Sequence, residues 1–201
     1  MSGRFCLLAG AVLTVVTLTG AVRAGGASIA IAGIDGRALK PFEPAGAANV
    51  IVFVATDCPI SNSYAPEIQR VCRDYAGRGV SCTLMYEDVE TAPRELDERV
   101  RTHLREYGYR DVPAAIDRTR TIATHANASI TPQAVVIDRQ GQVRYRGRID
   151  NFYAALGKPR QQVTEHDLRN ALDDLLAGRP VAKPEMPALG CHIVGPDFSR
   201  K

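Results

Sequence analysis

The sequence has little excess of either charge. Its 25 lysines and arginines stand against 22 aspartates and glutamates, for a formal net charge of +3 at pH 7. Proteins that bind nucleic acid usually concentrate lysine and arginine on one face. Here the charges of residues 93–110 alternate in sign, which is typical of a solvated helix face. We therefore expect no nucleic-acid partner.

Long apolar runs are equally scarce. The uncharged stretch at residues 6–19 is shorter than the ~20 residues that a helix needs to span a bilayer. Arg4 precedes it, and Val22 and Ala24 follow it with the spacing of a cleavage site. This order is typical of a secretory signal peptide over residues 1–24, with a membrane anchor as the alternative. We expect cleavage near Ala24, a secreted or periplasmic location, and no membrane span in the mature chain.

The sequence also lacks internal repeats and low-complexity segments. Removal of 24 of the 201 residues leaves a length that suits one domain with a sizeable core. We assign this domain to residues 25–180. Residues 181–201 form a proline-spaced, extended tail that carries Cys191.

Cysteine is sparse, with five residues in the chain. The four beyond the signal peptide are Cys58, Cys72, Cys82 and Cys191. An exported protein meets an oxidising compartment, so these cysteines can form disulfides. Four cysteines allow three complete pairings, and the sequence alone selects none of them.

Strand patterns recur along the chain. Continuous apolar runs rich in β-branched residues at 49–56 and 80–86 predict strands buried on both faces. Shorter strands are predicted at 29–34 and 114–116. Two further predicted strands, 134–138 and 142–148, are joined by a turn and should form a hairpin.

Helical patterns separate these strands. Apolar residues at helical spacing predict helices at 66–76, 92–107, 119–128 and 164–177. Thr164 is suited to cap the last helix, and Gly178 to end it. Strands that alternate with helices, followed by a closing hairpin, predict a three-layer α/β/α fold with a mixed central sheet.

The stretch "VATDCPISNSYAPEI" places Cys58 between a predicted core strand and a predicted helix. In open α/β sheets, ligands bind at this edge. Unpaired N–H groups at a helix N-terminus favour a thiolate, the nucleophilic form of cysteine. Pro59 suits the first helical turn, whereas the neighbouring Asp57 opposes the thiolate. The alternative is a buried, inert cysteine.

Thr131 and Pro132 enter the predicted strand at 134–138. Proline is unusual at such a position because it cannot donate to the strand ladder. A cis Thr131–Pro132 bond would form a tight turn that exposes backbone beside the thiol. An ordinary trans proline in a loop is the alternative.

Taken together, these residues resemble the thioredoxin-like superfamily, in particular exported redoxin-domain proteins of the alkyl hydroperoxide reductase and thiol-specific antioxidant type. The likeness rests on "TDCPISNSYAPEI", on "AVVIDRQGQVRYRGRID" and on Gly190-Cys191-His192-Ile193. It implies a thioredoxin fold, a redox cysteine at Cys58 and a cis-proline at Pro132. It implies no organic cofactor.

The chain departs from the family pattern at two positions. Dithiol thioredoxins have Cys-x-x-Cys, whereas the fourth position here is Ser61, so no local disulfide can close. Peroxiredoxins have a threonine three residues before the reactive cysteine, where this chain has Ala55. Neither standard mechanism therefore transfers intact.

The missing partner of Cys58 can come from the tail. We expect Cys191 to resolve the product formed at Cys58, the alternative being a free or intermolecular thiol. Cys72 and Cys82 lie on packed faces of a consecutive helix and strand. They are either two core cysteines or one structural disulfide, and the oxidising compartment favours the disulfide.

Charged and metal-binding candidates near the site are few. Arg148 can support a thiolate or an acidic substrate, together with Thr131 and Pro132, or it can form a surface ion pair. His103, His125, His166 and His192 show no metal-ligand spacing, so we assign no metal site. A copper-delivery module that uses Cys58, Cys191 and a histidine is the alternative.

These observations predict an exported, thiol-dependent oxidoreductase that uses Cys58. The Cys58 thiolate would attack a disulfide or a peroxide, forming a mixed disulfide or a sulfenic acid that Cys191 or an outside thiol resolves. Its partners would be protein thiols and disulfides or small peroxides. The alternatives are copper delivery and a non-catalytic interaction domain.

Overall fold

The structure is a computed structural model that describes residues 28–88, 92–109 and 111–195. The predicted signal peptide, residues 1–24, and its cleavage near Ala24 lie outside these residues. Within the described ranges, no helix is long and apolar enough to cross a membrane.

The helices connect and cover a central sheet. The five helices of the described chain are α1 (Pro59–Ser63), α2 (Ala65–Ala76), α3 (Pro93–Glu106), α4 (Thr121–Ala126) and α5 (Asp167–Leu176). The strands are β1 (Ile31–Ala32), β2 (Ala38–Leu39), β3 (Ala48–Val54), β4 (Val80–Tyr86), β5 (Ala114–Ile116), β6 (Ile130–Thr131), β7 (Gln133–Asp138), β8 (Val143–Gly147), β9 (Tyr153–Ala155), β10 (Lys158–Pro159) and β11 (Cys191–His192).

The central sheet has the strand order β5-β4-β3-β7-β8. Strand β3 pairs in parallel with β4, and β4 in parallel with β5. Strand β7 pairs antiparallel with both β3 and β8, so the last two strands form the predicted hairpin. This arrangement confirms the mixed sheet of a thioredoxin-like α/β fold.

Strand β3 is the central strand of the sheet. Every one of its residues is therefore buried. Its side chains alternate between the two faces of the sheet. Val52 packs in one apolar cluster with residues of α2, α3 and α5, and Phe53 packs in a second cluster with residues of α4. Both faces are therefore covered, as the continuous apolar run predicts.

The predicted element boundaries match the structure for two core strands, differ by one or two residues at the other elements, and differ by three residues at the start of the last helix. Strands β4 and β5 have the predicted bounds. Thr164 does not cap α5, which begins at Asp167 with His166 as the N-cap residue. The Thr164 hydroxyl instead accepts a hydrogen bond from the side chain of Asn151, 2.8 Å away. The capping prediction is wrong because a distant side chain holds this segment in place.

A disulfide joins Cys72 of α2 to Cys82 of β4, with the two Cα atoms 5.7 Å apart. The bridge connects a helix to the strand that follows it, across a sequence separation of 10 residues. Cys82 is buried within the larger apolar cluster, and Cys72 packs against its edge. The pair therefore lies in the core of the domain.

A buried polar network links α3 to the loop that carries Cys58. His103 is 2.9 Å from the Tyr86 hydroxyl at Nδ1 and 2.8 Å from Asn62 Oδ1 at Nε2. Since an amide oxygen only accepts, Nε2 carries the proton and Nδ1 accepts from Tyr86. Asn62 then donates to the carbonyl of Thr56 at 3.0 Å. The network fastens α1 to the end of β3.

We expect removal of the helix–strand disulfide to lower stability without changing the fold. In the chain-entropy description, a bridge over a loop of this size contributes about 2–3 kcal/mol. Equilibrium unfolding in guanidinium chloride should show that loss for Cys72→Ser/Cys82→Ser. An unchanged free energy of unfolding would mean that packing alone holds α2 on β4.

Burial lowers the pKa of His103 from 6.5 to about 4. Between these values the unfolded chain takes up a proton that the folded chain does not, so stability should fall as the pH falls from 6.5 towards 4. The slope for one proton is at most about 1.4 kcal/mol per pH unit. A plot of the free energy of unfolding against pH should have a smaller slope across this range for His103→Gln than for the parent. Equal slopes for the two proteins would contradict the lowered pKa of His103.

Candidate functional site

Cys58 lies at the carboxyl end of β3, where it is the N-cap residue of α1 and is only 1% exposed. Pro59 occupies the first turn, and the backbone N–H of Ser61 points to the Cys58 sulfur at 3.5 Å. The helical region is interrupted at Tyr64, which ends α1 and precedes α2. This break follows from Pro66, which cannot continue a helix from the preceding turn without loss of a hydrogen bond.

The partner of Cys58 is Cys191 of the tail. The structure joins their sulfurs in a disulfide with the Cα atoms 6.1 Å apart and a sequence separation of 133 residues. The tail therefore supplies the thiol that a local Cys-x-x-Cys motif would otherwise provide. The catalytic roles assigned to both cysteines from the sequence remain predictions.

The tail reaches Cys58 as a short strand. Strand β11 pairs antiparallel with β6, with Cys191 opposite Thr131 and His192 opposite Ile130. The N–H of Ile193 donates to the carbonyl of Ser129 at 2.9 Å and extends the pairing by one residue. This pairing sets the direction from which Cys191 approaches the site.

Gly190 makes the close approach of the two strands feasible. A Cβ atom at this position would lie 1.9 Å from the Thr131 carbonyl oxygen, far inside van der Waals contact. Any larger residue would therefore push the tail away from β6. The glycine before Cys191 is a steric requirement of this path.

The Thr131–Pro132 peptide bond is cis, which confirms the geometry expected from the sequence. The Thr131 carbonyl oxygen lies 3.2 Å from the Cys58 sulfur. A disulfide sulfur carries no proton, so this contact becomes a hydrogen bond only when Cys58 is a thiol. The turn thus places a backbone acceptor directly beside the Cys58 sulfur.

The upstream part of the tail runs along β8. The N–H of Arg146 donates to the carbonyl of Pro184 at 2.9 Å, and the N–H of Met186 donates to the carbonyl of Arg146 at 3.0 Å. Arg146 also forms an ion pair with Glu185. The tail is extended, as predicted, and it is held on the edge of the domain from residue 184 onwards.

Arg148 lies near the site but is already paired. Its guanidinium forms ion pairs with Glu165 and with Asp167, the latter at 2.6 Å. Arg148 and Pro132 line one cavity of about 230 Å³, which Leu189 of the tail also lines. The structure places Arg148 within reach of a ligand in this cavity, and its substrate-binding role remains a prediction.

Sequence reasoning missed a buried charged cluster at the same edge of the sheet. Glu87, Asp88 and Asp117 follow β4 and β5 directly, and all are buried beside Arg120. Arg120 Nη1 lies 3.2 Å from the Glu87 carboxylate. Burial, together with the neighbouring Asp117 carboxylate, raises the pKa of Glu87. The Arg120 guanidinium opposes this shift without cancelling it.

Arg120 connects this cluster to the tail. It donates to the carbonyl oxygens of Glu87 and Asp88 at 3.1 Å each, and its Nε donates to the carbonyl of Val194 at 3.0 Å. Its backbone is in the left-handed region, with φ of 58°. The cluster thereby fastens the tail on the far side of Cys191.

Asp88 connects the same cluster to the Cys58 loop. Its carboxylate accepts a hydrogen bond from the Thr56 N–H at 3.1 Å and another from the Thr56 hydroxyl. Burial raises the pKa of Asp88, although the hydrogen bonds from Thr56 oppose the shift. Cys58 is identified from the sequence because it follows the carboxyl end of a predicted buried strand, where ligands bind in open α/β sheets. Glu87 and Asp88 also directly follow such a strand, so the same argument would have identified them.

Metal ligands do not converge at the site. Across residues 28–88, 92–109 and 111–195, no group of three or more histidine, cysteine, aspartate or glutamate side chains could hold a metal ion.

Comparison with known proteins gave matches only among solved structures. No protein-family model and no curated protein matches the chain. A hypothetical protein from Sinorhizobium meliloti is 27% identical, with a TM-score of 0.71 over 84% of this chain and 91% of that one. An uncharacterized conserved protein from Geobacillus kaustophilus is 31% identical, with a TM-score of 0.71 over 85% of this chain and 91% of that one.

A more distant match comes from a protein of described activity. A secreted Mycobacterium tuberculosis disulfide oxidoreductase homologous to E. coli DsbE is 14% identical, with a TM-score of 0.51 over 75% of this chain and 96% of that one. At this identity the likeness establishes the fold alone. The chain belongs to the same family as the Geobacillus kaustophilus protein, and its fold, with a strand–Cys-Pro–helix unit beside a cis-proline, is thioredoxin-like.

Proposed function

We propose that the protein is a thiol–disulfide oxidoreductase whose redox-active pair is Cys58 and Cys191. The observation that carries this proposal is the disulfide between a cysteine at a strand–helix junction and a cysteine on the tail, beside a cis-proline. In this arrangement Cys191 takes the role that the second cysteine has in a Cys-x-x-Cys motif. Its partners would be thiols and disulfides of proteins or small molecules.

The surroundings of Cys58 suit reversible bond cleavage. When the disulfide opens, the Cys58 thiolate has the N–H of Ser61 as a donor at 3.5 Å. When the sulfur is protonated, the Thr131 carbonyl is an acceptor at 3.2 Å. Both forms therefore have a polar partner within a buried site, which lowers the cost of moving between them.

The second disulfide suits a structural role. Cys72 and Cys82 join consecutive elements, and Cys82 belongs to the apolar core. Breaking that bond would loosen the contact between a helix and the strand packed beneath it, whereas the Cys58–Cys191 bond joins the domain to a tail on its edge. We therefore assign exchange to one pair and stabilisation to the other.

We also propose that the protein acts outside the cytoplasm. The pattern of residues 1–24 is that of a secretory signal peptide, and a stable disulfide in the core suits an oxidising compartment. The Mycobacterium tuberculosis protein of the same fold is secreted. In this proposal residues 25–180 form the redox domain and residues 181–201 its tail.

Exchange of a dithiol peptide with its disulfide should depend on both members of the proposed pair. We expect Cys58→Ser to lower the rate by about 100-fold or more, since it removes a reacting atom. Cys191→Ser should lower the rate to a similar extent, since neither single variant can form the Cys58–Cys191 bond. The measurement is peptide oxidation and reduction followed separately by fluorescence.

The matched control is Cys72→Ser/Cys82→Ser, which also removes one disulfide and should keep the exchange rate of the parent at a temperature where it is folded. If this double variant loses exchange while Cys58→Ser retains it, the assignment of the two bridges is reversed. If the parent consumes hydrogen peroxide and leaves the peptide unchanged, a peroxidase reaction replaces the proposed exchange.

A further inference from the structure

The two cysteines of the Cys58–Cys191 bond differ in their exposure to solvent. Cys58 is 1% exposed, enclosed by its own helix turn, by the Thr131 carbonyl and by the tail. Cys191 is partly exposed, and the residue that follows it, His192, is exposed. A reagent that arrives from solvent therefore meets the tail cysteine first.

We infer that an incoming thiolate bonds to Cys191 and that Cys58 is the leaving group. This inference rests on the proposed function and adds the residue at which a thiol partner enters the cycle. The position of Cys58 at the strand–helix junction suggests the opposite order, in which the partner thiolate bonds to Cys58 and Cys191 leaves. In this order the new bond forms at Cys191 on the tail, and the thiolate is released at Cys58 in the domain.

Leaving-group stabilisation favours the same direction. Exchange is faster when the departing sulfur is the better stabilised thiolate and the attacked sulfur is the more accessible. Cys58 has the Ser61 N–H directed at its sulfur at 3.5 Å. The Thr131 carbonyl at 3.2 Å opposes a thiolate at Cys58, so the difference in access carries the choice of Cys191, and the Ser61 N–H adds to it.

The tail stays in position while this occurs, because its attachments do not depend on the disulfide. Strand β11 pairs with β6, and Arg120 holds the carbonyl of Val194 at 3.0 Å. Gly190 packs against Thr131 so closely that a Cβ atom there would be 1.9 Å from its carbonyl oxygen. These contacts keep Cys58 covered after its bond to Cys191 has broken.

The bonds and electrons balance with a dithiol partner. The first partner thiolate forms a bond to the Cys191 sulfur, the Cys58–Cys191 bond breaks, and the electron pair leaves on the Cys58 sulfur. The second partner thiolate then attacks the partner sulfur of the mixed disulfide and releases the Cys191 thiolate. The partner loses two electrons and two protons, and the two cysteines gain them.

The test uses the full oxidised protein and reduced glutathione as the probe. After a short reaction, acid stops the exchange and glutathione is removed, and excess N-ethylmaleimide then labels the released thiol of the denatured protein at neutral pH. Cys58 and Cys191 lie on different tryptic peptides, so mass spectrometry assigns each label. We expect glutathione on Cys191 and N-ethylmaleimide on Cys58, in at least about 10-fold excess over the opposite pattern.

The variant Gly190→Ala tests whether the tail imposes this order. Its Cβ atom must push the tail from Thr131, so the share of glutathione on Cys58 should rise several-fold. The matched control is Gly77→Ala, where a Cβ atom would meet nothing within 4 Å, and it should give the pattern of the parent.

The outcomes separate this inference from the proposed function. Glutathione mainly on Cys58 in the parent overturns the inference and leaves the exchange activity standing. An unchanged distribution in Gly190→Ala overturns the role of the tail. A Cys58–Cys191 bond that releases no thiol to glutathione or to dithiothreitol overturns the proposed function itself.

Discussion

The close packing of the tail against the cis-proline turn is the constraint on which the site depends. Strand β11 can pair with β6 only because residue 190 is glycine, and this pairing brings Cys191 opposite Thr131 and into bonding distance of Cys58. The same packing buries Cys58. One steric condition therefore determines which cysteine bonds to Cys58 and how deeply Cys58 is buried.

Polar groups buried at the carboxyl edge of the sheet hold the Cys58 loop and the tail in place. His103 and Asn62 fasten α1 to the end of β3, and Asp88 holds the Thr56 backbone from the next strand. Arg120 binds the carbonyls that follow β4 and also the end of the tail. Each group satisfies a partner that burial would otherwise leave without a hydrogen bond, so the loop and the tail are held by the same edge.

The two disulfides occupy different places in the domain. Cys72 and Cys82 close a short loop between elements that pack together in the core, so their bond adds to a contact that already exists. Cys58 and Cys191 close a separation of 133 residues between the domain and a strand on its edge. The second bond therefore links the domain to its tail, and neither of its cysteines belongs to the apolar clusters of the core.

Much of this organisation is determined by local sequence. The buried run of β3, the bounds of β4 and the closing hairpin follow from apolar periodicity and turn residues, because these patterns act between neighbours in the chain. The position of Cys58 at a strand end and the entry of Pro132 into a strand are visible for the same reason. Only the tertiary structure decided how the four cysteines pair, why Thr164 is not a helix cap, and that Glu87, Asp117 and Arg120 share one buried cluster. Those features depend on contacts between residues far apart in the chain, such as Cys58 with Cys191 and Asn151 with Thr164, and no local pattern encodes such distances.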